Sequence, residues 1–171
     1  GAGCMVGLPG QTTEMMARDI LLLRDLEVDM AGIGPFIPNP ETPLGDEPGG
    51  TVEMTLKMIA LARIATKIAH IPATTALSTI DALGREKAWR AGANVVMPNV
   101  TPIHYREHYR IYPDKACLFD ETRHCWICLH RRIASVGRRV GTDHGHSYQS
   151  RGRQLVSNPA VEGSAKYGGS V

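Results

Sequence analysis

The chain has 171 residues, which is enough for one globular domain with a substantial core. Hydrophobic residues make up 43% and charged residues 21%, and no apolar run reaches the roughly 18 residues that a membrane span needs. An aromatic content of 5% is low for a surface that stacks nucleic-acid bases. Composition therefore predicts no membrane partner and no nucleic-acid partner. The first residues show no signal-peptide pattern, and we therefore expect a cytoplasmic protein.

The first twelve residues predict a strand, a tight turn and a helix start. Residues 3–6 are typical of a buried strand, and Leu8-Pro9-Gly10 interrupts it with turn-forming residues. Thr12 is placed to cap a helix. The apolar residues of that helix are Met15, Met16, Ile20, Leu23 and Leu26. Such a βα unit leaves a glycine-rich turn open to a ligand, although an ordinary tight turn has the same composition.

Three further strands and three further helices follow. The strands are predicted over residues 28–34, 71–76 and 94–97, and the helices over 51–67, 83–91 and 125–136. The proline-rich segment 35–50 is predicted to be an irregular loop. Repeated βα units indicate a parallel sheet. A complete (β/α)8 barrel needs about 250 residues, so about four units correspond to half of one.

Four segments resemble one enzyme family in order and spacing. They are Met5–Thr12 and residues 29–38, 71–76 and 91–99. They are similar to the HydE-type radical S-adenosylmethionine (SAM) maturase of [FeFe] hydrogenase. The resemblance covers roughly residues 1–145 and implies an α/β fold, the C-terminal half of a (β/α)8 TIM-type barrel, with an irregular cysteine-containing C-terminal region. Residues 146–171 hold little apolar surface and are predicted to form a disordered tail.

The resemblance implies that the chain is a fragment of an enzyme that helps to assemble the diiron H-cluster cofactor, with its substrate held in the barrel cavity. The implied cofactors are SAM and a [4Fe–4S] cluster in the full-length protein. That cluster is held by a Cys-x3-Cys-x2-Cys loop, a spacing that this chain lacks. We therefore expect the chain alone to be inactive and assign no catalytic residue to it. Its expected partners are a small-molecule substrate, the missing N-terminal half and other hydrogenase maturation proteins.

Seven residues are candidates for the substrate and SAM cavity. For each of them, packing, β-propensity or a turn cap is the alternative interpretation. The resemblance implies cavity positions for the first four. Asn99, just past a strand end, could orient a ligand, and the two tyrosines are candidates for closing a barrel mouth. The seven are Met30, Thr74, Thr75, Met97, Asn99, Tyr109 and Tyr112.

Three clustered cysteines, Cys117, Cys125 and Cys128, are candidate metal ligands. Three thiolates can hold an Fe–S cluster, and His124 or His130 could complete a zinc site. Three buried structural thiols are the remaining alternative. The resemblance implies an accessory Fe–S cluster, because some HydE-type members bind one at this spacing. The fourth cysteine, Cys4, is expected in the core.

Other functions remain open at the level of sequence. One is a radical-SAM enzyme resembling methylornithine synthase or biotin synthase, and another is a non-catalytic metal-binding module. In each case a half-barrel would expose open parallel strand edges and an apolar interior. We therefore expect the isolated chain to aggregate or to pair with a second copy.

Overall fold

The computed structural model describes residues 1–116 and 122–147, with side chains omitted for 122–125. It contains two strands, five α-helices and a 3-10 helix over Ile103–Tyr109 within those ranges. The strands and α-helices are β1 (Ala2–Val6), α1 (Thr13–Asp25), β2 (Ala31–Pro35), α2 (Val52–Thr66), α3 (Thr75–Ile80), α4 (Gly84–Ala91) and α5 (Thr122–Ser135). This is a small α/β fold.

The sheet is parallel, as predicted, but its regular part is shorter than expected. β1 and β2 pair in register from Ala2 opposite Ala31 to Val6 opposite Pro35. The predicted third and fourth strands are wrong as full strands, since they contribute single bridges, Met30 with His70 and Pro72 with Val95. Two causes shorten the third strand: Pro72 has no N–H to donate, and a helix begins directly after residue 74.

The backbone nevertheless runs in the predicted spatial order. The amide of Ala31 donates to the His70 carbonyl at 2.8 Å, and the amide of Ala73 donates to the Val95 carbonyl at 2.9 Å. Four consecutive segments therefore lie side by side in chain order, each reached through a helix or a loop.

The helix boundaries follow local capping chemistry. Thr12 Oγ1 accepts the Met15 amide at 3.3 Å and Thr51 Oγ1 accepts the Met54 amide at 3.2 Å, so each threonine begins a helix where the sequence predicts it. Gly92, with φ of 129°, ends α4. Its left-handed conformation favours glycine.

The core lies between the sheet and the helices. Its largest fully buried side chains are Ile33, Ile59, Ile71, Leu77, Leu129 and Val6. The predicted apolar face of α1 is confirmed for Met16, Ile20 and Leu23, whereas Met15 and Leu26 are more than half exposed. α1 therefore presents apolar surface on a flank that the described part of the chain does not cover.

The segment after α5 returns to the amino ends of the strands. Arg138 Nη1 donates to the Ala93 carbonyl at 3.0 Å, and Ser147 Oγ donates to Asp29 Oδ1 at 2.6 Å. Residues from 148 onward, where most of the predicted tail falls, lie outside the described residues. In the ranges that the structure describes, no helix is both long and apolar enough to cross a membrane.

Candidate functional site

A cavity of about 240 Å³ brings together four of the seven candidate residues, namely Thr75, Met97, Asn99 and Tyr109. Thr75 follows the third parallel segment, and Met97 and Asn99 follow the fourth. The cavity therefore lies at the carboxyl ends of these segments, the side on which βα proteins bind ligands.

The two adjacent threonines have different roles. The prediction that they close a strand is wrong, because Thr74 is the N-cap of α3 and Thr75 is its first residue. Thr74 Oγ1 accepts the Leu77 amide at 3.3 Å, so its hydroxyl is engaged in the cap. Thr75 Oγ1 instead accepts from Nη2 of Arg85 at 3.3 Å and lines the cavity. Of the pair, Thr75 is the one placed to contact a ligand.

Three basic side chains, Arg85, Arg106 and Lys115, line the same cavity, and no aspartate or glutamate is among its described lining residues. Arg85 is 3% exposed and Arg106 is 2% exposed. Arg106 Nε donates to the Thr101 carbonyl at 2.7 Å, and its Nη2 donates to the Asn99 carbonyl at 3.3 Å. Arg106 thus fixes the loop that carries Asn99.

The two candidate tyrosines lie at the edge of this arrangement. Tyr109 is 60% exposed, and its carbonyl accepts from Lys115 Nζ at 2.7 Å. Tyr112 is half-buried, and burial raises the pKa of its phenol, while a hydrogen bond with Thr79 and the charge of Arg85 act in the opposite direction. Neutral Tyr112 therefore borders the basic cavity without lining it.

Met30 is separated from the other candidates. It lines a second cavity of about 790 Å³ together with His70, Asn94, Val96 and Arg138. Met30 and His70 form the bridge at the amino ends of their segments. This places Met30 at the end of the strands opposite to Thr75.

The predicted metal ligands are only partly described. Cys117 lies outside the described residues, and Cys125 lies in α5 without a described side chain. Cys128 is an exposed free thiol on the same helix. Cys4 is half-buried against the core, and burial together with the charge of Asp19 raises the pKa of its thiol to about 11. In the described ranges, no group of three or more His, Cys, Asp and Glu residues could hold a metal ion.

Two glycines of the turn after β1 have positive φ angles, which other residues rarely adopt. Gly7 has φ of 88°, and a Cβ added there would lie 2.4 Å from Gly50 Cα. Gly10 has φ of 75°, yet a Cβ there would meet no described atom within 4 Å. One side of the turn is therefore packed against Gly50, and the Gly10 backbone is open to approach by a ligand.

Sequence reasoning missed the three bases of the small cavity. Arg85 could have been identified as a candidate from its position. It lies in the first turn of α4, where the helix dipole disfavours a positive charge. A base in such a position suggests a role outside the helix. Arg106 and Lys115 lie in an irregular region whose path the sequence pattern does not predict.

Comparison with known proteins agrees with the resemblance drawn from the sequence. No protein-family model matches the chain. The chain is 51% identical over 145 residues to the [FeFe] hydrogenase maturase subunit HydE of Thermotoga maritima, a match that covers 85% of this chain and 42% of that relative. The chain spans less than half the length of the curated relative that it matches. Over these 145 residues it is a partial homologue of the [FeFe] hydrogenase maturase subunit HydE.

Proposed function

We propose that this chain forms part of a HydE-type radical-SAM enzyme that helps to assemble the diiron cofactor of [FeFe] hydrogenase. Homology supports the enzyme class. The observation that carries the role of this chain is the basic cavity at the carboxyl ends of the parallel segments, lined by Thr75, Asn99, Arg85 and Arg106. We infer that this cavity holds an anionic group of the substrate.

The charges of the cavity support a substrate that carries a carboxylate or a similar anion. A guanidinium offers several N–H donors in a fixed plane, and the Thr75 hydroxyl adds a donor beside Arg85. Burial of the two arginines strengthens their attraction for an anion, because the surrounding dielectric constant is low. Met97 supplies an apolar contact next to these polar groups.

The proposal also assigns the remaining parts of the machinery. The chain would supply half of a (β/α)8 barrel, and a preceding half would supply the cysteine loop for the [4Fe–4S] cluster. With SAM, that cluster supplies a 5′-deoxyadenosyl radical. The open turn at Gly7–Gly10 is the part of this chain suited to contact SAM, because its glycines allow close backbone approach. Cys117, Cys125 and Cys128 are proposed to hold an accessory Fe–S cluster.

The proposal predicts activity only after the chain is joined to a HydE-type N-terminal half. The 171-residue chain alone should make no 5′-deoxyadenosine under dithionite, whereas the joined protein should make it, as measured by chromatography. Thr75→Val removes the hydroxyl at the cavity and should weaken substrate binding about tenfold with little change in SAM cleavage. Ser135→Ala is the matched control, because it removes an exposed helical hydroxyl that lies outside the cavity.

Two outcomes would contradict this function. One is 5′-deoxyadenosine made by the chain alone above a cluster-free blank. The other is a Thr75→Val protein that loses SAM cleavage and substrate binding to the same extent, since the threonine would then not act specifically on the substrate.

A further inference from the structure

The Gln11 side chain forms a two-point bridge to the end of β1. The Gly7 amide donates to Gln11 Oε1 at 2.7 Å, and Gln11 Nε2 donates to the Met5 carbonyl at 3.0 Å. A carboxamide suits this position because it carries a donor and an acceptor side by side. A glutamate would keep the acceptor and lose the donor.

The bridge occupies the edge of β1 that faces away from β2. The Val6 carbonyl accepts the Phe36 amide at 2.8 Å, which directs the backbone polar groups of Val6 toward the second strand. Successive residues of a strand direct these groups to alternate edges. The carbonyl of Met5 and the amide of Gly7 therefore point to the other edge, where Gln11 takes the place of a neighbouring strand.

The same side chain controls the turn that follows. The Gln11 amide donates to the Leu8 carbonyl at 3.0 Å, so the backbone of Gln11 closes the turn and its side chain ties the turn to the strand. Gly7 and Gly10 both have positive φ, a conformation that is costly for other residues and has to be held by its surroundings. The turn lies at the carboxyl end of β1, where parallel βα proteins bind ligands.

We propose that Gln11 is a positioning residue that holds the Gly7–Gly10 turn in the conformation that receives SAM. This role rests on the proposed function for its ligand, while the bridge itself rests on the two hydrogen bonds. Gln11 acts through the backbone of the turn and takes no part in the chemistry.

The test uses Gln11→Ala and Gln11→Glu, with Glu14→Gln as the control. Glu14 is exposed in the first turn of α1, so its substitution leaves the bridge intact. In the chain itself, hydrogen exchange at the Gly7 amide should rise about tenfold in Gln11→Ala, change much less in Gln11→Glu, which keeps the acceptor for that amide, and stay unchanged at Ala31. In the protein joined to its N-terminal half, calorimetry should show about tenfold weaker SAM binding at an unchanged melting temperature.

The readouts separate this role from a merely structural one. A lower melting temperature with unchanged SAM affinity would overturn the positioning role, as would unchanged exchange at Gly7 in Gln11→Ala. If the unmodified joined protein binds no SAM, both the proposed function and the SAM role of Gln11 are wrong. In that case increased exchange at Gly7 would still show that Gln11 holds the turn. Failure of the SAM role can therefore be distinguished from failure of the bridge.

Discussion

At the scale of single residues, adjacent side chains make different contacts. Thr74 uses its hydroxyl to cap α3, whereas Thr75 directs its own to Arg85 and the cavity. Glu86 and Arg85 also adjoin each other, yet Arg85 lines the cavity and Glu86 pairs with Arg132 of α5. The role of each residue therefore depends on the direction in which its side chain points.

The Glu86–Arg132 pair is predicted to stabilise the fold in a pH-dependent way. Arg132 Nε and Nη2 donate to the two Glu86 carboxylate oxygens at 2.5 and 2.6 Å, and the side chains of Arg132 and Glu86 are 24% and 12% exposed. Burial alone would raise the pKa of Glu86, but the hydrogen bond from Arg132, a backbone hydrogen bond and the charges of Arg132 and Arg85 together outweigh it, and the pKa is lowered. The stabilisation is therefore complete above the unfolded pKa of about 4.3 and is lost as pH falls through the lower folded value.

Arg132→Met should reduce the free energy of unfolding by about 1–3 kcal/mol at pH 7, because it leaves a partly buried carboxylate without its partner. The difference from wild type should shrink toward pH 3, as followed by urea unfolding. Lys57→Met removes the exposed partner of Glu53 and should have no measurable effect. An equal loss at both pH values would show that Arg132 acts through packing instead.

At the scale of elements, α5 carries two of the three candidate metal ligands, Cys125 and Cys128, and packs against the folded core. Leu129 and Ile133 are 2% and 7% exposed, so one face of the helix is buried. Cys128 lies on the exposed side, one residue before Leu129. Leu129 and Ile133 therefore anchor the helix to the core, while the Cys128 thiol is exposed to solvent.

This arrangement predicts that metal uptake depends on the thiols and leaves the core largely unchanged. Anaerobic reconstitution with iron and sulfide should give visible Fe–S absorption, and Cys125→Ser should abolish it without changing the circular dichroism spectrum. Cys4→Ser is the control, because that thiol packs against the core. A colourless protein that binds one zinc ion would contradict the accessory cluster.

At the scale of the whole molecule, the described part of the chain exposes apolar side chains and one strand edge. Within the described residues, β1 pairs along one edge with β2. Met15 and Leu22 of α1 and Leu26, which follows the helix, are each more than half exposed. Met5 and Met97 are also more than half exposed. Gln11 covers only the end of the other edge of β1, and a largely uncovered strand edge together with exposed apolar side chains favours association.

We therefore expect the isolated chain to associate in solution. Light scattering should report a mass above the 18.6 kDa of one copy. Leu22→Lys together with Leu26→Lys should reduce the association, whereas Asp25→Lys, which changes the charge at an exposed polar position and removes no apolar surface, should leave it unchanged. A clean monomer in the wild type would contradict this prediction, as would equal effects of the two sets of substitutions.

Much of the candidate site could be predicted from sequence because its residues follow recognisable strand ends. Thr75, Met97 and Asn99 follow segments that the hydrophobic pattern and the resemblance located, and all three line one cavity. Arg106 and Lys115 could not be predicted to line this cavity. They lie in an irregular region, and no hydrophobic periodicity indicates the course of the chain in such a region. Met30 was grouped with the others by resemblance, but in the fold it lines the separate, larger cavity.

The α/β class, the parallel order of the four segments, the caps at Thr12 and Thr51 and the homology to HydE can all be inferred from the amino-acid sequence. They follow from local chemistry and from patterns of neighbouring residues. Three features are visible only in the folded chain: the third and fourth strands are reduced to bridges, Thr75 faces Arg85, and Gln11 occupies the outer edge of β1. Each of these depends on contacts between parts of the chain whose relative positions are set by packing, which no local pattern encodes.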